Sequence, residues 1–180
     1  MRSSPGSGRL LLMILMVVAA ALVFALDQAT KAWIATNMVN HGVRPIIAGM
    51  VRLRYTENTG AAFGLFQGGT LALSIAAAAI IAVIVLSITR MGSGNPLLML
   101  GLALVLGGAI GNLVDRVRLG YVVDFVEVTA LRADFSGTVY TFPVFNVADS
   151  AITVGVILIM AALLFGTHDA RPQTSAPLED

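Results

Sequence analysis

No cysteine occurs in this chain, which excludes thiol catalysis, disulfides and cysteine metal sites. Histidine is nearly as scarce. His41 and His168 fall in unrelated segments, and no His-Glu-x-x-His pattern stands anywhere, which argues against a zinc protease. Gly-x-Ser-x-Gly is absent and no histidine lies near a membrane serine, so a serine–histidine hydrolase has little support. Charge is the third shortage. Asp, Glu, Lys and Arg make up 12% of the chain, where soluble domains carry roughly 25%. A net charge of +1 gives no footing for nucleic acid or for an electrostatic membrane-surface binder.

What fills the chain instead is apolar. Of its 180 residues, 57% are hydrophobic, and the mean hydropathy is +0.88, a value that belongs to a polytopic membrane protein. Four apolar segments stand out: Leu10 to Leu26, Leu71 to Ile88, Leu97 to Val114 and Ala151 to Phe165. Each reaches or approaches the ~20 residues that span a bilayer. The last does so only if its helix begins near Asn146, which draws Asp149 into the first turns. The expected fold is therefore an all-α integral membrane protein, a single domain over 1–166. Its spans are expected at about 10–27, 70–89, 96–114 and 147–166, followed by a polar tail at 167–180. Arg2 and Arg9 ahead of Ala19-Ala-Ala21 also fit a signal peptide. The apolar run continues to Leu26 and leads into a patterned polar segment, which suits a retained helix better.

Two long excursions separate the spans, at about 37–69 and 118–145. In the first, Val51-Arg-Leu-Arg-Tyr55 alternates with the period of a half-buried strand, and Asn58-Thr-Gly60 reads as a turn. A small sheet on the membrane surface is expected there. Met91-Gly-Ser-Gly-Asn95 joins spans two and three tightly, with Pro96 at a helix start. The stretch 129–140 has no clear period and is expected as loop or a short surface element. Four spans put both termini on one side and both excursions on the other. A Lys/Arg count alone places the excursions in the cytoplasm.

Asp124, in Tyr121-Val-Val-Asp-Phe125, and Asp149, in Phe145-Asn-Val-Ala-Asp149, stand at the edges of apolar segments, where an ionisable group is costly. Two carboxylates at one depth cannot both ionise freely, so one serves as acid and the other as base. The base takes a proton from water that attacks a carbonyl. The acid hydrogen-bonds the developing oxyanion. Asn58 and Asn146 supply amides for a peptide backbone, or else a turn and a helix cap. Asn112, Asp115 and Arg116 share one helix face and can hydrogen-bond one another, as a site or as a structural network. Asp27 and Lys31, four apart, form either an interfacial ion pair with Lys31 snorkelling or a device that positions the first helix. Gly107 and Gly111 form a small-xxx-small packing pattern.

Five blocks together resemble one family. They are Asp27-Gln-Ala-Thr-Lys31, Asn58-Thr-Gly-Ala-Ala-Phe-Gly64, Gly108-Ala-Ile-Gly-Asn-Leu-Val-Asp-Arg116, Val122-Val-Asp-Phe125 and Phe142-Pro-Val-Phe-Asn-Val-Ala-Asp-Ser150. In order and placement they resemble lipoprotein signal peptidase (signal peptidase II) up to about residue 166. The resemblance implies an aspartyl protease of the bacterial inner membrane, with no metal or organic cofactor. Its substrate would be a prolipoprotein carrying a diacylglyceryl cysteine, held in membrane lipid and cut just before that cysteine. It implies Asp124 and Asp149 as the catalytic pair, supported by Asn58, Asn112, Asp115, Arg116 and Asn146, with Asp27 and Lys31 nearby. It further implies an extracytoplasmic sheet cradling the substrate, cytoplasmic termini against the charge count, and inhibition by the cyclic peptide globomycin. Two features depart from the family pattern. The Asp124–Asp149 connection is somewhat long, and Tyr140-Thr-Phe-Pro143 stands where many members carry a tryptophan ahead of Phe-Pro. Two rival readings are a small proton-coupled transporter or channel subunit, and a catalytically dead binding protein of the same fold. Polar groups gathered at one face, rather than at the midplane, count against the first. The intact aspartate pair counts against the second.

Overall fold

The computed structural model describes residues 5–60, 69–90, 95–131 and 139–165. The polar tail, most of the Met91–Asn95 link and the middle of the 129–140 stretch lie outside those residues. Four helices, α1 (Pro5–Met38), α2 (Thr70–Arg90), α3 (Pro96–Leu119) and α4 (Val147–Phe165), are each long and apolar enough to cross a membrane. Leu10, Leu22, Leu71, Leu163 and Phe165 are exposed on their outer faces, where lipid would replace water.

The helix α3 is the hub. In its most apolar stretch 56% of residues are buried, against 11–22% in the other three. Its start follows from local chemistry: Asn95 caps the helix by accepting from the Leu97 N–H, and Pro96 opens the first turn. Its end follows from Gly120 at φ 84°, whose N–H returns to the Arg116 carbonyl. Two rows of glycine let neighbours close on it. A Cβ on Gly107 would lie 2.5 Å from the Ala20 carbonyl of α1, and one on Gly108 2.5 Å from the Ala148 carbonyl of α4. Gly101 and Gly155 meet across the α3–α4 seam in the same way.

The helix α1 runs well past its apolar segment. Helical spacing continues through Asp27 and Lys31 to Ile34 and Met38, so its 34 residues reach about 51 Å at 1.5 Å of rise each. Its last turns carry the sheet, because Ile34 and Met38 are buried with Val123 and Phe125 in one cluster.

That sheet is antiparallel, in the order β1 (Val43–Ile47), β2 (Val51–Asn58), β3 (Val122–Leu131), β4 (Val139–Thr141). The strand expected around Val51–Tyr55 is β2. The second excursion is more regular than the sequence suggested: β3 runs on to Leu131 and pairs with β4. At the start of β3, Val122, Val123, Asp124 and Phe125 are all buried, which erases there the two-residue alternation that marks a half-exposed strand. A bulge in β2 between Leu53 and Thr56 sets Thr56 opposite Asp124 and Asn58 opposite Val122.

Candidate active site

Asp124 sits on β3 and Asp149 in the first turn of α4, and both face one cavity of about 510 Å³. Asn58, Asn112, Arg116, Ser150 and Thr153 line the same space, together with Gly60. The remaining wall is largely apolar, including Val122, Phe142, Phe145, Ile152 and Val154. Phe142 and Phe145 meet edge to face, with ring centroids 5.9 Å apart.

Three side-chain amides hold the two carboxylates. Asn58 donates from Nδ2 to Asp124 Oδ2 at 2.8 Å, while its own Oδ1 accepts the Gly60 N–H at 3.0 Å. Asn146 donates to Asp124 Oδ1 at 2.7 Å. Asn112 donates to Asp149 Oδ1 at 2.8 Å. Asn146 also caps α4 reciprocally: its Oδ1 accepts the Asp149 N–H at 2.8 Å, and its own N–H reaches Asp149 Oδ2 at 3.2 Å. The turn and the cap expected as bland alternatives for Asn58 and Asn146 are therefore real. The same two side chains also grip Asp124.

Asp124 is 2% exposed, and burial pushes its carboxyl up to about 7. The nearby Asp149 carboxyl adds to the rise, against the hydrogen bonds of Asn58 and Asn146 and the charge of Lys31.

Behind the amides lies a buried ionic cluster. Lys31 Nζ meets Asp27 Oδ2 at 2.8 Å, Asp115 Oδ2 at 2.9 Å and Asn112 Oδ1 at 2.8 Å. Its side chain is 4% exposed, so it does not snorkel to the interface. Asp27 is tied to α4 through the Ala148 N–H at 3.0 Å, which satisfies another donor at that helix start. Asp115 accepts the Val123 N–H of β3 at 3.3 Å. One cluster thus ties α1, α3, α4 and the sheet together.

Asn112, Asp115 and Arg116 do not form the side-chain network that their spacing allowed. Asn112 and Asp115 share Lys31, whereas Arg116 turns to the cavity. Its terminal nitrogens reach only the Asn112 and Gly60 carbonyls, each at 3.4 Å, and its Nε has no hydrogen-bond partner among the described residues. Gln28 went unnoticed as a site residue. It donates to Asp115 at 2.9 Å and to Asp27 at 3.2 Å, and its signal was an amide set between Asp27 and Lys31 at the end of an apolar run.

The chain matches the family model described as signal peptidase (SPase) II over residues 19–165. It is 44% identical over 146 residues to the lipoprotein signal peptidase of Moorella thermoacetica, covering 81% of this chain and 89% of that one. It is 41% identical over 150 residues to the lipoprotein signal peptidase of Symbiobacterium thermophilum, covering 83% and 94%. A solved structure described as a bacterial membrane enzyme, obtained by the in meso method at 2.3 Å resolution, superposes with a TM-score of 0.75 at 33% identity. That superposition covers 89% of this chain and 93% of the other.

Proposed function

The chain belongs to the signal peptidase II family, and from that premise we propose that it is an aspartyl endopeptidase acting through Asp124 and Asp149. Its substrate is a prolipoprotein carrying a diacylglyceryl cysteine, and the bond cut is the one just before that cysteine. The observation that carries the reading is the position of Asn146. One residue bonds Asp124 through its side chain and Asp149 through its cap, so the two carboxyls are held on one cavity wall.

The chemistry follows from that pairing. A carboxyl lifted to about 7 is protonated about half the time at neutral pH, whereas an ordinary carboxyl is almost wholly ionised. Asp124 therefore suits the acid in the first step, which leaves the role of base to Asp149. The base accepts a proton from water, and the water oxygen attacks the scissile carbonyl. The acid donates a hydrogen bond to the oxygen that becomes negative, and the Arg116 guanidinium lies on the same cavity to favour that charge. The amine then leaves with a proton from the pair. The apolar wall at Phe142, Phe145, Ile152 and Val154 suits the apolar side chains ahead of the cleavage point. The lipid keeps that point at the membrane surface, so a short extended segment is all the cavity need hold. Globomycin, as a cyclic peptide, would compete for the same cavity. Both termini face the cytoplasm in this reading, and the sheet and cavity face outward.

Detergent-purified protein is incubated with a diacylglyceryl-modified prolipoprotein and with its unlipidated form. Cleavage before the lipidated cysteine is expected with the first only. Asp124→Asn and Asp149→Asn are each expected to lower turnover by roughly 100-fold to 10,000-fold, the range of acid–base catalysis. Substantial turnover by either folded variant would sink the dyad.

A further inference from the structure

An amide can be turned over, exchanging donor for acceptor, so three asparagines aimed at two carboxylates need something to fix their sense. Two are fixed by the backbone. Asn58 Oδ1 accepts the Gly60 N–H at 3.0 Å, and Asn146 Oδ1 accepts the Asp149 N–H at 2.8 Å. A backbone N–H cannot reverse, so each Nδ2 is left pointing at Asp124.

Among the described residues, Asn112 Oδ1 has no backbone donor of that kind. It accepts from Lys31 Nζ at 2.8 Å and from Asn146 Nδ2 at 3.1 Å. The ammonium cannot accept in any orientation and makes the shorter contact, whereas Asn146 is a fixed donor only through its own bond to the Asp149 N–H. We propose that Lys31 is a positioning residue that sets the polarity of Asn112, so that Asn112 donates to Asp149 rather than opposing it. In the reversed amide, Nδ2 would face two sets of donors and Oδ1 would face the Asp149 carboxylate.

The geometry of Lys31 supports that role beyond ion pairing. Its three hydrogens meet three partners, Asp27, Asp115 and Asn112, at 2.8–2.9 Å, and none is left over. The two carboxylates hold the ammonium in place from α1 and α3. The third hydrogen is spent on a neutral amide whose other end touches the dyad. An ion pair alone would need neither that third contact nor its direction.

The proposal rests on the dyad reading above, and its test separates the two. Lys31→Met is made together with Asp115→Asn, so that a cation and an anion leave together, and is compared with Asp115→Asn alone. Against active wild-type protein, the double variant is expected to lose roughly a further 100-fold in kcat, the cost of a displaced catalytic group. KM is expected to stay within about threefold, since no substrate contact has changed. A folded double variant matching the single one in kcat would overturn the role of Lys31 and leave the dyad standing. Inactive wild-type protein would overturn the peptidase reading on which the proposal rests. A second measurement needs no variant and no substrate. Lys31 is the only lysine in the chain, so lysine-specific ¹⁵N labelling yields one ammonium signal. In ¹³C-labelled protein that nitrogen is expected to couple through a hydrogen bond to an asparagine Cγ. Coupling to carboxylate carbons alone would overturn the proposal, whether or not the variants fold.

Discussion

Burial lifts the Asp124 carboxyl from an ordinary 3.8 to about 7, and this has a measurable consequence for stability. Between those two values the folded protein holds a proton that the unfolded chain has released. Stability therefore falls as pH rises through that window and is regained on acidification. At ~1.4 kcal/mol per pKa unit, the effect reaches a few kcal/mol. Melting can be followed by the fluorescence of Trp33, the only tryptophan. From pH 8 to pH 5 the wild-type Tm is expected to rise several degrees more than that of Asp124→Asn. An equal response in both would show that Asp124 takes up no proton in that range. The residues themselves were largely legible in the sequence, because a carboxylate or an amide beside an apolar run is costly and stands out. Their bonding was not. Asn58 and Asp124 are 66 residues apart, and their contact exists only because a bulged β2 lies beside β3. Arg116 shows the limit most clearly: helical spacing put it with Asp115, yet Lys31 had already filled that place.

Among the elements, the seam between α3 and α4 is the most demanding. A Cβ on Gly108 would stand 2.5 Å from the Ala148 carbonyl, a backbone atom with no free side chain to yield. Gly108→Ala is expected to cost ~1–3 kcal/mol, as overpacking does. It is also expected to lower activity, because Ala148 lies between Asn146 and Asp149 in the turn that carries one of the two proposed catalytic aspartates. Gly8→Ala has nothing within 4 Å to meet and serves as the control. Thermal melting and cleavage assays on both variants check this, and a Gly108→Ala protein indistinguishable from Gly8→Ala would refute it. The packing pattern at Gly107 and Gly111 was visible as two small residues four apart. Both prove to face α1, the second against Asp27. The row at Gly101 and Gly108, facing α4, is spaced by seven and was not singled out. Helices announced themselves by length and hydropathy. The strand β3 did not, since a strand buried at its start carries no alternation to read.

At the scale of the whole molecule, the lack of cysteine makes orientation directly measurable. Single cysteines are placed at Ala48, exposed between β1 and β2, and at Ser175 in the tail. In intact cells of a bacterium with a permeable outer layer, a membrane-impermeant maleimide is expected to label Ala48→Cys and to spare Ser175→Cys. The reverse pattern would favour the Lys/Arg count. Four spans and a surface sheet could be foreseen from the sequence, but the way α1 rises beyond its apolar stretch to carry the sheet could not, because polar Asp27 and Lys31 look like an ending. The cap at Asn146 has a consequence in time. In chain order α4 is the last helix made, and Asn146 can hold Asp124 only once that helix has begun and docked. Until then Asp124 lacks its Asn146 contact, and Asp149 has not reached the cavity they share. If the proposed pair is the catalytic one, a chain whose final span has not yet entered the membrane cannot cut.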